Sequence, residues 1–128
     1  MTEPGADGVA LRLLVMKTHQ LDRVREFYEA LGIRLAEERH GRGPLHYAGK
    51  AGAALIEVYP LPDDAPAPDA SVRLGFDVMD LDRVLDALQR LGAPVVAEPQ
   101  STQWGYRAVV RDPDGRAVEL YGPGERRS

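Results

Sequence analysis

The tetrapeptide "LDRV" occurs twice, at Leu21 to Val24 and at Leu81 to Val84, an offset of 81 − 21 = 60. "LG" at Leu31-Gly32 returns at Leu91-Gly92 with the same offset, and "IEVYP" (56–60) answers "VELYG" (118–122) at 119 − 57 = 62. Matches in the same order at a nearly constant offset mark two related units of about sixty residues. This self-similarity constrains the fold more than any other feature, because whatever one unit becomes, the chain must hold two of them.

Each unit reads in the same order. "VALRLLVMK" (9–17) is apolar and branched enough for a strand, and in "LDRVREFYEALG" (21–32) the residues Leu21, Val24, Phe27, Tyr28 and Leu31 recur at helical spacing before the stop at Gly32. "IRLAEER", "LHYAGK" and "AALIEVYP" then read as short strands separated by turns at "HGRGP" and at glycine. The second unit repeats this with "VRLGFDVM", the helix "DLDRVLDALQRLG" N-capped by Asp80, then "PVVAEP", "WGYRAVVR", the turn "DPDG" and "RAVELYG". The prediction is therefore an α+β fold of two βαβββ modules, with eight strands and two helices. Module 1 spans 9–60 and module 2 spans 72–123, joined by a proline-rich linker at 61–71, with a disordered N-terminus at 1–8 and a tail at 124–128.

Composition sets the outer limits. A chain of 128 residues with 44% hydrophobic content suits one domain that can bury a core without staples. The absence of cysteine excludes disulfides and thiolate chemistry. No run approaches the roughly 20 apolar residues of a membrane span, and "MTEPGADG" lacks the regions of a signal peptide. The expectation is a cytoplasmic protein. A net charge of −4 and a pI near 5.3 argue against nucleic acid as a partner.

Glu119 is the residue that does not fit its surroundings, since glutamate is depleted in strands. Strand parity puts Glu119 and Tyr121 on one face of the last strand, with Val118 and Leu120 on the face the helix needs. The repeat makes Glu57 its counterpart, sharing a face with Leu55 and Tyr59. On the first strands of the modules the corresponding residues are Leu13, Val15 and Lys17, and Arg73, Gly75 and Asp77. Two equivalent carboxylates sharing a low-dielectric cavity would repel one another, and Arg73 is placed to relieve that. Either His46 or Tyr47, being adjacent on a strand, must face the same way, so His46 is a candidate acid, base or metal ligand. His40 and His19 read as turn or surface residues, and charge clusters such as "AEERH" as solvated faces.

The doubled layout, the "LDRVREFYEALGI" helix and the closing "DPDGRAVELYGP" resemble the vicinal oxygen chelate superfamily, which includes glyoxalase I, bleomycin-resistance proteins and extradiol dioxygenases. The resemblance covers roughly residues 10–123. It implies that each module curls its sheet into half a barrel around a cavity, and that the protein is a homodimer. Metal-dependent members take one ligand from the first strand and one from the last strand of each module. Carried over, those positions are Leu13, Glu57, Arg73 and Glu119, and neither leucine nor a guanidinium can ligate a cation. The resemblance thus implies a metal-free pocket for an aromatic or antibiotic-like small molecule, bound by Trp104, Glu57, Glu119, Arg73, Tyr59, Tyr121 and Tyr47. Trp104 in "STQWGYR" supplies a stacking surface in that reading, or packs in a core or dimer interface. The alternative is a metal-dependent lyase, epimerase or dioxygenase with a divalent ion on Glu57 and Glu119. A metal-free reaction with Glu119 as base and Arg73 at an oxyanion is a third reading.

Overall fold

A computed structural model describes residues 8–123; the expectations for residues 1–7 and for the tail at 124–128 lie outside the described residues. The chain forms β1 (Leu13–Thr18), α1 (Leu21–Ala30), β2 (Ala36–Glu38), β3 (His46–Ala51) and β4 (Ala54–Pro60), then β5 (Arg73–Asp77), α2 (Leu81–Arg90), β6 (Val95–Thr102), β7 (Gly105–Arg111) and β8 (Ala117–Gly122). The eight strands and two helices fall in the expected order. Their limits differ most at three strands: β1 starts at Leu13, β2 covers only Ala36–Glu38 of "IRLAEER", and β6 runs on to Thr102.

The strands make two four-stranded sheets, ordered β1-β4-β3-β2 and β5-β8-β7-β6. In each, the first strand lies parallel to the last and the rest are antiparallel, so the duplication extends to topology. The sheets are not closed into a barrel. A parallel pair needs a crossover, and α1 and α2 supply it, packing on β4 and β8 and against each other. The helix-facing residues Met16, Ile56, Val58, Val78, Val118 and Leu120 join Val24, Phe27, Tyr28 and Leu88 in one buried cluster containing side chains of both modules. Parity therefore assigns the faces correctly. Leu13, Val15, Lys17, Arg73, Gly75 and Asp77 are on the opposite, solvent-facing side.

The helix starts differ chemically. Asp80 accepts a hydrogen bond from the Arg83 backbone N–H at 3.2 Å, an ordinary N-cap. Gln20 at the head of α1 makes no cap; its amide instead donates to the Pro113 carbonyl at 3.1 Å and to Asp114 Oδ1 at 3.0 Å. The first helix of module 1 is thereby tied to the "DPDG" turn of module 2. That turn is a seam between modules. Asp112 Oδ1 accepts from the backbone N–H groups of Asp114 and Arg116, while Oδ2 accepts from Tyr28 Oη at 2.7 Å and Arg116 Nη1 at 2.9 Å. Arg116 Nη2 reaches the Lys17 carbonyl at 3.0 Å. A cleft of about 350 Å³ opens beside this seam, between β1, the linker and β5.

Candidate functional site

The two glutamates occupy equivalent places. Glu57 is in register with Val15 on β1 and Ala48 on β3, and Glu119 with Gly75 on β5 and Val109 on β7. One step along each sheet, the row Glu38–His46–Tyr59–Lys17 in the first corresponds to Gln100–Arg107–Tyr121–Asp77 in the second. The placements of His46 beside Tyr59 and of Arg107 beside Tyr121 follow from the short β3-β4 and β7-β8 turns, since a tight turn fixes the register of the two strands it joins. Arg107 is thus the counterpart of His46.

The modules satisfy their carboxylates in different ways. Glu119 is engaged at both oxygens: Oε1 accepts from Tyr121 Oη at 2.6 Å and from Arg107 Nε at 3.0 Å, and Oε2 from Arg73 Nη1 at 3.1 Å. The Tyr121 hydrogen bond, followed by Arg107 and with Arg73 a smaller contributor, holds the Glu119 carboxyl below its ordinary range. Its bond to Glu119, and then to Tyr121, likewise raises Arg107. Arg73 is 68% exposed and is the weaker of the two cations, because solvent screens it. Sequence reasoning named Arg73 as a bridge between the two glutamates. The structure corrects this: Arg73 pairs with Glu119 and not with Glu57, and Arg107, which the sequence reading missed, does more of the neutralising.

Among the described residues, no guanidinium pairs with Glu57. Its Oε2 lies 3.9 Å from His46 Nε2, and that same nitrogen lies 3.5 Å from Glu38 Oε1, which in turn is 3.3 Å from His40 Nε2. His46 is 1% exposed. Its ring stacks on Tyr59 with centroids 4.0 Å apart, and Nδ1 lies 3.2 Å from the Pro44 carbonyl. Reduced solvation, together with Glu57 and Glu38, raises Tyr59 above the ordinary tyrosine value. The potential metal ligands Glu38, His40, His46 and Glu57 have donor atoms all within 4.8 Å of one another. This replaces the expected pairing of Glu57 with Glu119, and the assignment of His40 and Glu38 to turn and solvated face misses their convergence.

Two other expectations change. Of the adjacent pair, His46 faces the glutamate side and Tyr47 does not: Tyr47 is in the helix-side core, its ring under the Arg25 guanidinium at 4.6 Å. It is no wall of the glutamate face. Trp104 lies in the β6-β7 turn and is 74% exposed, so it packs in no core of the single chain. The cavity expected between the modules is an open face here, on which the apolar side chains of Leu13 and Val15 meet solvent.

The family's four-ligand metal arrangement does not fit these residues. The first-strand residues in direct register with the glutamates are Val15 and Gly75, those two positions earlier are Leu13 and Arg73, and none has a usable donor. At Glu119 the cation's place is already held by Arg107 and Arg73.

Residues 12–120 match the family model described as Glyoxalase/Bleomycin resistance protein/Dioxygenase superfamily. An uncharacterized protein of Mycolicibacterium smegmatis is 29% identical over 113 residues, 88% of this chain and 93% of that one. Among solved structures, a glyoxalase/bleomycin resistance protein from Streptomyces sp. CB03234 superposes with a TM-score of 0.65 at 25% identity, covering 88% of this chain and 99% of the other. TnmS3, described as an antibiotic binding protein from the same Streptomyces strain, gives 0.68 at 24% identity, covering 90% and 96%. No helix among the described residues is long and apolar enough to cross a membrane.

Proposed function

Because the chain belongs to the glyoxalase/bleomycin resistance protein/dioxygenase superfamily, we propose that it is a small-molecule binding protein that sequesters or carries an aromatic or antibiotic-like ligand. One observation carries this reading: the carboxylate at the family's metal position in module 2 is engaged at both oxygens, by Tyr121, Arg107 and Arg73. A carboxylate with both oxygens engaged and its pKa lowered is a poor base and a poor ligand, but it fixes the guanidiniums around it. Recognition, and not proton transfer, is what such a group does well. The ligand's apolar body lies over Leu13, Val15 and Leu55, and its hydrogen-bonding groups meet Arg73, Tyr121 and Glu57. At the family's four-ligand position this binding uses no metal. The antibiotic-binding description of TnmS3 and the open apolar strip support the ligand class.

The face is open in one chain, and a two-fold homodimer would wall it in; light scattering showing only monomer at micromolar concentration removes that part of the proposal. The ligand reading is tested with a panel of aromatic antibiotics. Binders should raise the melting temperature and quench the fluorescence of Trp104, the sole tryptophan, and Arg73→Ala and Glu119→Gln should weaken them. Affinity untouched by both variants, or a substrate turned over in a reaction that Glu119→Gln abolishes, would overturn it.

A further inference from the structure

We infer that the first module carries a site for one divalent first-row transition ion, zinc foremost, built from Glu38, His40, His46 and Glu57. The inference goes beyond the ligand-binding reading and does not depend on it.

The duplicated sheets provide the first argument. In module 2 the carboxylate is neutralised by a built-in cation, Arg107, 3.0 Å from Glu119. In module 1 the equivalent place belongs to His46, beside two carboxylates instead of one. A neutral imidazole supplies no charge. It supplies a lone pair, and a bound ion would then provide the positive charge that Arg107 provides in the other half.

The orientation of His46 is the second argument. Nδ1 is within 3.2 Å of the Pro44 carbonyl, to which it can donate only as N–H. In the tautomer that donates from Nδ1, Nε2 carries the lone pair a metal ion would take. Nε2 is buried, has no hydrogen-bond partner among the described residues, and is aimed between Glu38 and Glu57. A backbone carbonyl holding one ring nitrogen while the other points at carboxylates is the usual support of a metal-binding histidine. Stacking on Tyr59 fixes the ring plane as well.

Separation of the donors is the third. Ligands at ordinary zinc distances in a tetrahedron lie roughly 3.3 to 3.6 Å from one another. The neighbouring donors are 3.3, 3.5 and 3.9 Å apart and all four lie within 4.8 Å of one another, so a shared ion would need only a modest inward movement of the rim side chains. Two imidazole nitrogens and two carboxylate oxygens suit zinc, nickel or cobalt better than calcium or magnesium, which prefer all-oxygen sets. His40, 72% exposed at the rim, leaves an entry path.

The ligand set is not the one the family uses. Only Glu57 occupies a family position; Glu38, His40 and His46 come from β2, the β2-β3 turn and β3 of one sheet.

The test is titration of the untagged, chelator-treated full chain with zinc chloride and with cobalt chloride, with no organic ligand present. One ion per chain should bind with a dissociation constant below about 10 µM. Cobalt should give the intense visible bands of a four-coordinate site, and imidazole nitrogen NMR should show His46 Nε2 shifting on zinc addition. His40→Ala and Glu38→Gln lie at the exposed rim, should fold normally, and should each weaken binding by roughly tenfold or more. His19→Ala, whose ring contacts the Ala65 carbonyl at 2.9 Å, should change nothing. No binding at about 100 µM ion, or binding indifferent to His40→Ala and Glu38→Gln, overturns the site. Failure here leaves the antibiotic panel readable, and failure of the panel leaves the titration readable.

Discussion

The Arg116 guanidinium lies 2.9 Å from Asp112 Oδ2 with both side chains almost wholly buried, and from there it reaches the Lys17 carbonyl in the other module. Every lone pair of Asp112 is used, by two backbone amides, Tyr28 and Arg116. Removing one partner of a buried pair leaves an uncompensated charge, which costs about 3 to 5 kcal/mol. Arg116→Ala should therefore lower stability by that order in urea unfolding. Arg116→Lys should recover only part, because an ammonium cannot serve Asp112 and Lys17 together in the guanidinium's forked geometry.

Tyr28 donates to Asp112 at 2.7 Å from full burial. Burial first, and then the charge of Asp112, raises its phenol far above the ordinary tyrosine value. Of the five tyrosines, Tyr28 should stay protonated in ultraviolet titration until the protein unfolds. The sign follows from linkage: the folded pKa is raised, so the stabilisation is complete below the unfolded pKa of about 10 and falls as pH rises above it. Tyr28→Phe should flatten the alkaline limb of the stability curve.

Parity within a strand is legible from one sequence, which is why Met16, Ile56 and Val118 are assigned to the core side and Glu57 and Glu119 to the other. Register between strands is legible only across tight turns. The "DPDG" turn pairs Arg111 with Ala117, and counting outward pairs Arg107 with Tyr121, next to Glu119. The signal for Arg107 was thus present and could have been read. Glu38 is different: residues 39–45 separate it from His46, and no pattern in that connection tells that the two will face each other. Tyr47 failed for a simpler reason, since neighbouring strand residues take opposite faces and apolar composition alone does not say which is which. The limits of β1 depend on where β4 stops pairing, a tertiary fact absent from "VALRLLVMK".

Gly49 on β3 faces the backbone that leads into β2: a Cβ there would run into the Arg34 carbonyl oxygen, and then the Leu35 side chain. Backbone cannot step aside as a flexible side chain can. Gly49→Ala should cost about 1 to 3 kcal/mol by overpacking. Gly75, on the open face, would meet nothing nearer than Tyr121 at 3.8 Å, so Gly75→Ala should stay within about 0.5 kcal/mol. Thermal melts of the pair test both statements, and equal losses would contradict the packing account.

Glu119 links stability to acid. Its folded pKa is lowered, chiefly by the Tyr121 hydroxyl and then by Arg107, while the unfolded chain keeps an ordinary carboxylate value. A depressed folded pKa contributes stability that is present above the unfolded value, near pH 4.5, and is lost as pH falls through the folded one. In that acid window the unfolded state takes up the proton first, and the native state is left behind. The urea midpoint of the wild-type chain should fall through this window, and that of Glu119→Gln should fall less, since glutamine binds no proton. Tyr121→Phe should move the curve toward that of Glu119→Gln more than Arg73→Ala does, because Arg73 is largely exposed and contributes least. A larger effect from Arg73→Ala would mean that the guanidinium charge at Oε2, and not the short hydrogen bond from Tyr121, holds Glu119 ionised.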